Sequence, residues 1–239
     1  MGRRQPFSLF PVVLLVVIAA GAQALAADLP SPGAPPPRAA FIPAPPAWSW
    51  NGLYFGINGG YGFGRSEWVT PGFDIGPFSV TGGQAGGTVG YNYQIGQLVL
   101  GVEGDLDWQN VRGFANGIGR CISCDTASNW IGTLRGRVGY AFDRFMVYGT
   151  AGGAVTDIKG TVAAFPWDSS TELGWTAGGG IEGAITDNLS AKVEYLYAGF
   201  SKATCPASSC NPNFGNPVTI SLNESMVRVG LNYRFGYGF

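Results

Sequence analysis

Between residues 103 and 107 the chain sets three carboxylates at alternate positions, Glu103, Asp105 and Asp107, and the same rhythm later carries Arg135 and Arg137. Carboxylates at that spacing are candidates for general acid–base work or for structural ion pairs. The sequence contains no His, which removes Ser-His-Asp and Cys-His nucleophile systems and His-ligated metals in one step. Three acids on one face of one strand, opposite arginines on the next, read as structural ion pairs. No enzyme activity, cofactor or metal is therefore expected.

Other residues with chemical potential have simpler readings. Four cysteines fall in two close pairs, Cys121 with Cys124 and Cys205 with Cys210. In an exported protein these favour disulfides over a four-thiolate metal site, because only the first pair has the CxxC spacing. Two intervening residues make a strained bridge, so pairing of Cys121 with a cysteine of the other loop stays open. The stretches GGQAGG and GTAGGA lie within or beside strands and lack the Lys-Ser/Thr ending of a phosphate loop. They read as glycines that ease sheet curvature. The long loops carry mixed charge and no basic patch for nucleic acid.

The elements that must position the carboxylates follow from a period of two beginning at Trp50. About eight alternating segments are expected, near 52–64, 84–95, 98–109, 129–142, 145–157, 172–185, 189–200 and 225–236. Gly96-Gln97, Asp143-Arg144 and Asp187-Asn188 read as tight hairpin turns, while 65–83, 110–128, 158–171 and 201–224 read as long loops. Short turns on one side and long loops on the other predict an all-β, eight-stranded, antiparallel up-and-down transmembrane β-barrel with both termini in the periplasm.

Parity within the segments separates two faces. Leu98, Leu100, Val102, Leu106 and Trp108 oppose Glu103, Asp105 and Asp107. Val227, Val229, Leu231, Tyr233 and Phe235 oppose Arg228, Asn232 and Arg234. Collected over all segments, the polar face carries Arg135, Arg137, Lys192, Arg228 and Arg234 against Glu103, Asp105, Asp107, Glu182 and Glu194. A soluble lipocalin-like barrel would turn this face outward. Gly, Asn and Thr fill most of its other positions, and aromatic residues gather towards both strand ends, Trp108, Trp130 and Trp175 at one and Phe142, Phe145 and Phe235 at the other. Two aromatic girdles favour the membrane orientation, with the charges filling the lumen. Trp68 breaks the girdle parity, and 145–157 is ambiguous throughout.

The N-terminus agrees. Arg3 and Arg4 precede a 12-residue apolar run, Leu9 to Ala20, followed by Ala24-Leu25-Ala26. That is a secretory signal peptide over residues 1–26, too short for a spanning helix, which needs about 20 residues. Charged residues are 12% of the chain against about 25% in soluble domains. Low charge without helical spans leaves a β-barrel as the membrane class. Residues 27–49 form a periplasmic arm, because eight of the chain's 16 prolines lie between Pro30 and Pro46 and such a stretch is extended. The barrel is assigned to 50–239.

The stretches WNGLYFGINGGYGFG, GGTVGYNYQIGQLVLGVEGDLDW, NWIGTLRGRVGYAFDRFMVYGTAGG, GWTAGGGIEGAITDNLSAKVEYLY and VRVGLNYRFGYGF together resemble the OmpA-like outer-membrane β-barrel family, in its small surface-antigen porin branch common in alphaproteobacteria. The resemblance implies location in the bacterial outer membrane, contact with outer-membrane lipid and lipopolysaccharide, and insertion by the barrel-assembly machinery, with Phe239 in the assembly signal. It also implies that Ala27, in Ala27-Asp28, is a possible point of covalent attachment to peptidoglycan. The expected function is a structural surface barrel that supports envelope integrity. The alternatives are a small-solute porin and an adhesin or host-facing surface antigen.

Overall fold

The computed structural model describes residues 48–70, 73–115, 124–162, 165–166, 170–205 and 218–235. Ten strands follow in chain order: β1 (Gly52–Thr70), β2 (Phe73–Ile95), β3 (Leu98–Ala115), β4 (Cys124–Phe142), β5 (Phe145–Val162), β6 (Phe165–Pro166), β7 (Ser170–Ala184), β8 (Leu189–Phe200), β9 (Ala203–Cys205) and β10 (Val218–Phe235). Eight are long. Two short pieces, β6 and β9, pair with the upper ends of β5 and β10. Each long strand pairs antiparallel with its successor, and β10 pairs with β1 from Leu53↔Phe235 to Val69↔Thr219. The sheet is thus closed and has no free long edge.

The turns at Gly96-Gln97 and Asp143-Arg144 place Gly96 (φ 61°) and Asp143 (φ 56°) in the left-handed region that tight hairpins require. The third connection has four residues, Ile185 to Asn188, and not the two expected. Its Thr186 hydroxyl accepts hydrogen bonds from the amides of Asn188 and Leu189 at 3.4 and 3.1 Å, which fixes the wider loop.

At the opposite end the strands run well beyond the expected segments. Most of 65–83 is β1–β2 hairpin, and 110–115, 124–128 and 158–162 are also strand. Alternation continues there with apolar side chains turned inward: Trp68, Phe78, Val80, Val111, Leu222 and their neighbours form a buried core inside the upper barrel. Gly, Pro and Ser along these segments suggested loops, yet the inward positions have a second core to bury. Register shifts occur at Trp68/Val69, Trp108/Val111 and Ala127/Ile131. Asp157 holds the last of these, accepting from the amides of Asn129 and Trp130 at 2.7 and 3.0 Å. Trp68 therefore belongs to the interior and not to a girdle.

Candidate functional site: the filled lumen

The outward face settles which way the barrel is turned. Leu134, Trp108, Ile57 and Val229 are 71%, 70%, 68% and 59% exposed, whereas Arg135, Arg137, Arg228 and Lys192 are buried. Water as the outer solvent would leave apolar groups wet and charges dry, so hydrocarbon surrounds the middle of this barrel.

Arg135, on β4, is the hub of the interior. Its Nη2 donates to Glu103 Oε1 at 2.5 Å and to Asp105 Oδ2 at 2.6 Å, and its Nη1 to Glu194 Oε2 at 2.9 Å. Arg228, from β10, reaches Asp107 at 2.7 Å, Glu194 at 2.6 Å and Asp105 at 3.4 Å. Arg137 pairs with Glu182 and lies 3.6 Å from the centre of the Tyr148 ring, while Lys192 reaches Glu103 Oε2 at 3.0 Å. Hydroxyls complete the shell: Thr88 and Thr133 donate to Asp105 at 2.7 and 2.8 Å, Tyr54 to Glu103 at 2.7 Å and Ser190 to Glu182 at 2.5 Å. Buried charges survive only when paired and hydrogen-bonded in this way.

Inward glycines make room for the network. A Cβ at Gly86 would sit 2.1 Å from Asp107 Oδ1, and one at Gly90 would sit 2.3 Å from Tyr54 Cζ. At these positions the glycines serve the lumen side chains, beyond the ease of curvature that the sequence suggested.

Nine of the ten expected lumen charges thus meet in one network. Arg234 stands apart at the short-turn mouth, where it donates to the backbone carbonyls of Ser49 and Asp187 and lies 4.2 Å from the centre of the Trp48 ring. Trp50 seals the same mouth: its indole donates to Asp143 O at 3.1 Å and its amide to Gln94 Oε1 at 2.7 Å. Trp50, Val99, Ala141, Met146 and Tyr148 make a lower apolar cluster. The cavity left beside Trp50 and Arg234 is about 10 Å³, room for about one water. The lumen therefore has three layers: an aromatic seal, a charged middle and an apolar upper core.

Sequence reasoning missed Tyr54, Asp157 and Glu224 as interior groups. Tyr54 and Glu224 share inward parity with their strands, and that signal could have found them. Asp157 lies past a bulge where parity fails. Ser128 donates to Asp157 at 3.4 Å, and that carboxylate is already engaged by the amides of Asn129 and Trp130 and faces Lys159 at 3.8 Å. Ala27, Phe239, Cys121 and Cys210 lie outside the described residues. Cys124 and Cys205 end β4 and β9 towards the long-loop side.

A closed, inside-filled, eight-stranded barrel with a lipid-facing outer surface defines the class of outer-membrane β-barrels. The comparisons place the chain more narrowly. The family model described as outer membrane protein beta-barrel domain matches residues 12–235. The chain is 37% identical to the 31 kDa outer-membrane immunogenic protein of Brucella melitensis, over 93% of this chain and 99% of that one. It is 34% identical to the 22 kDa outer membrane protein of Rhizobium leguminosarum, over 81% and 82%. The solved outer membrane protein OprG of Pseudomonas aeruginosa is 15% identical, covering 77% of this chain and 98% of that one with a TM-score of 0.49. This protein belongs to the outer-membrane β-barrel family of alphaproteobacterial immunogenic outer-membrane proteins, and its place is the bacterial outer membrane.

Proposed function

We propose that the protein is a structural surface barrel that supports the envelope and neither conducts solutes nor catalyses a reaction. The observation that carries this reading is the lumen, closed at its short-turn mouth by Trp48 and Trp50, filled by ion pairs in the middle and by apolar side chains above. An eight-stranded barrel has an interior just wide enough for side chains, and here they fill it. In planar bilayers, the mature protein from a monodisperse sample is expected to give no reproducible single-channel steps. Stepwise conductance from that sample would favour the small-solute porin instead.

The partners in this reading are outer-membrane lipid and lipopolysaccharide, the barrel-assembly machinery, and peptidoglycan. The outward cations Arg65, Arg112 and Lys159 lie beyond the apolar band on the long-loop side, and cations there suit the phosphates of a glycolipid leaflet. The tether proposal rests on Ala27-Asp28 after the signal peptide and on the proline-rich arm. Mass spectrometry of lysozyme-released peptidoglycan is expected to find a muropeptide joined to the Ala27 amine; its consistent absence removes the tether and leaves the closed barrel intact.

A further inference from the structure

Among the described residues, buried acids outnumber buried cations seven to four. Six of the seven face a cation, including Asp157, whose partner Lys159 is 3.8 Å away. Glu224 does not. It is fully buried on the inner face of β10, paired in the ladder with Gly64 on β1 and Ala198 on β8. Its carboxylate lies over Gly62, where a Cβ would be 2.3 Å from Oε1. The nearest cation on its own strand, Arg228, is taken up by Asp107 and Glu194. The buried side chains at the neighbouring ladder positions are uncharged: Val80 and Gln84 on β2, Gln109 and Val111 on β3, and Met226 on β10.

Neither Glu224 oxygen has a hydrogen bond of normal geometry among the described residues. The side-chain amide of Gln109 is the polar group that faces it. Gln109 and Gln84 are ladder partners, and both are nine-tenths or more buried. Gln109 Nε2 donates to Ser128 Oγ at 2.6 Å, which leaves its Oε1 without a partner, and neither polar atom of the Gln84 side chain has one. A buried carboxylate that faces no cation is costly unless a positive charge joins it, and the Gln84 and Gln109 amide oxygens on the neighbouring strands lack donors as well. Oxygen ligands of this kind suit hard cations, and one carboxylate is neutralised by one monovalent charge.

We propose that Glu224, Gln84 and Gln109 hold a monovalent hard cation, sodium or potassium, between the ion-pair network and the upper apolar core. The site brings a positive charge to the one buried acid that faces none and adds stability in proportion to cation occupancy. It needs neither His nor Cys, so the motifs by which metal sites are usually read from sequence do not reveal it.

The test uses the full mature chain refolded in zwitterionic detergent, free of lipopolysaccharide. Urea unfolding followed by tryptophan fluorescence is compared at fixed pH and equal ionic strength in sodium, potassium and N-methylglucamine chlorides. The midpoint is expected to be higher by about 0.5 M urea in the sodium or potassium salt. In Glu224→Gln, which keeps the shape without the charge, that difference is expected to vanish; in Gln84→Leu it is expected to shrink. Equal wild-type midpoints in all three salts would overturn the proposal, leaving a proton or water beside Glu224, and so would a salt-specific shift that persists in Glu224→Gln. Should the variants not fold, crystals of the wild type soaked in a thallium salt are expected to give an anomalous peak beside Glu224, and its absence is equally decisive.

Discussion

Arg135→Met is expected to lower the stability of the folded barrel by about 3–5 kcal/mol, the usual cost of removing one partner from a buried ion pair. The guanidinium serves Glu103, Asp105 and Glu194 together, and Thr133 accepts from its Nε at 3.2 Å. Lys192 and Arg228 still reach these acids after the replacement, but the interior then holds yet more acids than cations. Methionine preserves most of the volume, so the loss reports charge and not a cavity. The comparison is Arg144→Met: Arg144 pairs with Asp187 at 3.0 Å, with side chains 53% and 76% exposed, and such a pair is worth about 0–1 kcal/mol. Urea unfolding in detergent micelles, with heat-modifiable mobility on gels as the readout of folded barrel, measures both. Equal losses in the two variants would mean that the lumen network contributes no more than a surface pair.

Trp68→Ala is the second large effect, expected at about 3–5 kcal/mol from lost burial and the cavity left behind. The ring is 1% exposed in the upper core, 6.5 Å from the Phe78 ring, and its indole donates to Thr126 Oγ1 at 3.0 Å. Thr126 would lose that donor but keep Ser66 at 3.1 Å. Trp108→Ala, on the lipid face, removes no interior packing and is expected to cost clearly less. The same unfolding measurement decides. A Trp68→Ala variant as stable as the wild type would show that the upper barrel, beyond the membrane band, is not packed as a core.

These two positions also mark how far sequence alone reaches. Around Arg135 the period of two was enough: every second residue of a strand shares a face, so the charged face, nine of its charged members and the closing pair of first and last strands could be read directly. Around Trp68 it was not enough. Large aromatics near strand ends suit a girdle equally well, and the Gly, Pro and Ser content of 65–83 suits a loop equally well. Only the opposing inward side chains, Phe78, Val80, Leu222 and Ile220, make that segment a hairpin. Over 145–157 the inward Met146, Tyr148 and Ala154 are as apolar as the outward Phe145 and Val147, so composition does not separate the faces, and at Thr156 to Ile158 the alternation itself fails. The register shift at Ala127/Ile131, held by Asp157, moves side chains between faces, and no local pattern announces a shift that depends on the neighbouring strand.

By itself the sequence determined the class of protein: export, absence of histidine chemistry, strand count, the lipid-facing and lumen-facing parities, and the family stretches are all local or additive properties of the chain. The tertiary structure decided what each inward residue meets. It joined Arg135 to acids from two strands, β3 and β8, set Arg234 at the mouth instead of in the network, placed Trp68 in a second core and left Glu224 without a facing cation. Those outcomes depend on cross-strand register and on distances across a closed lumen, which one-dimensional periodicity does not encode.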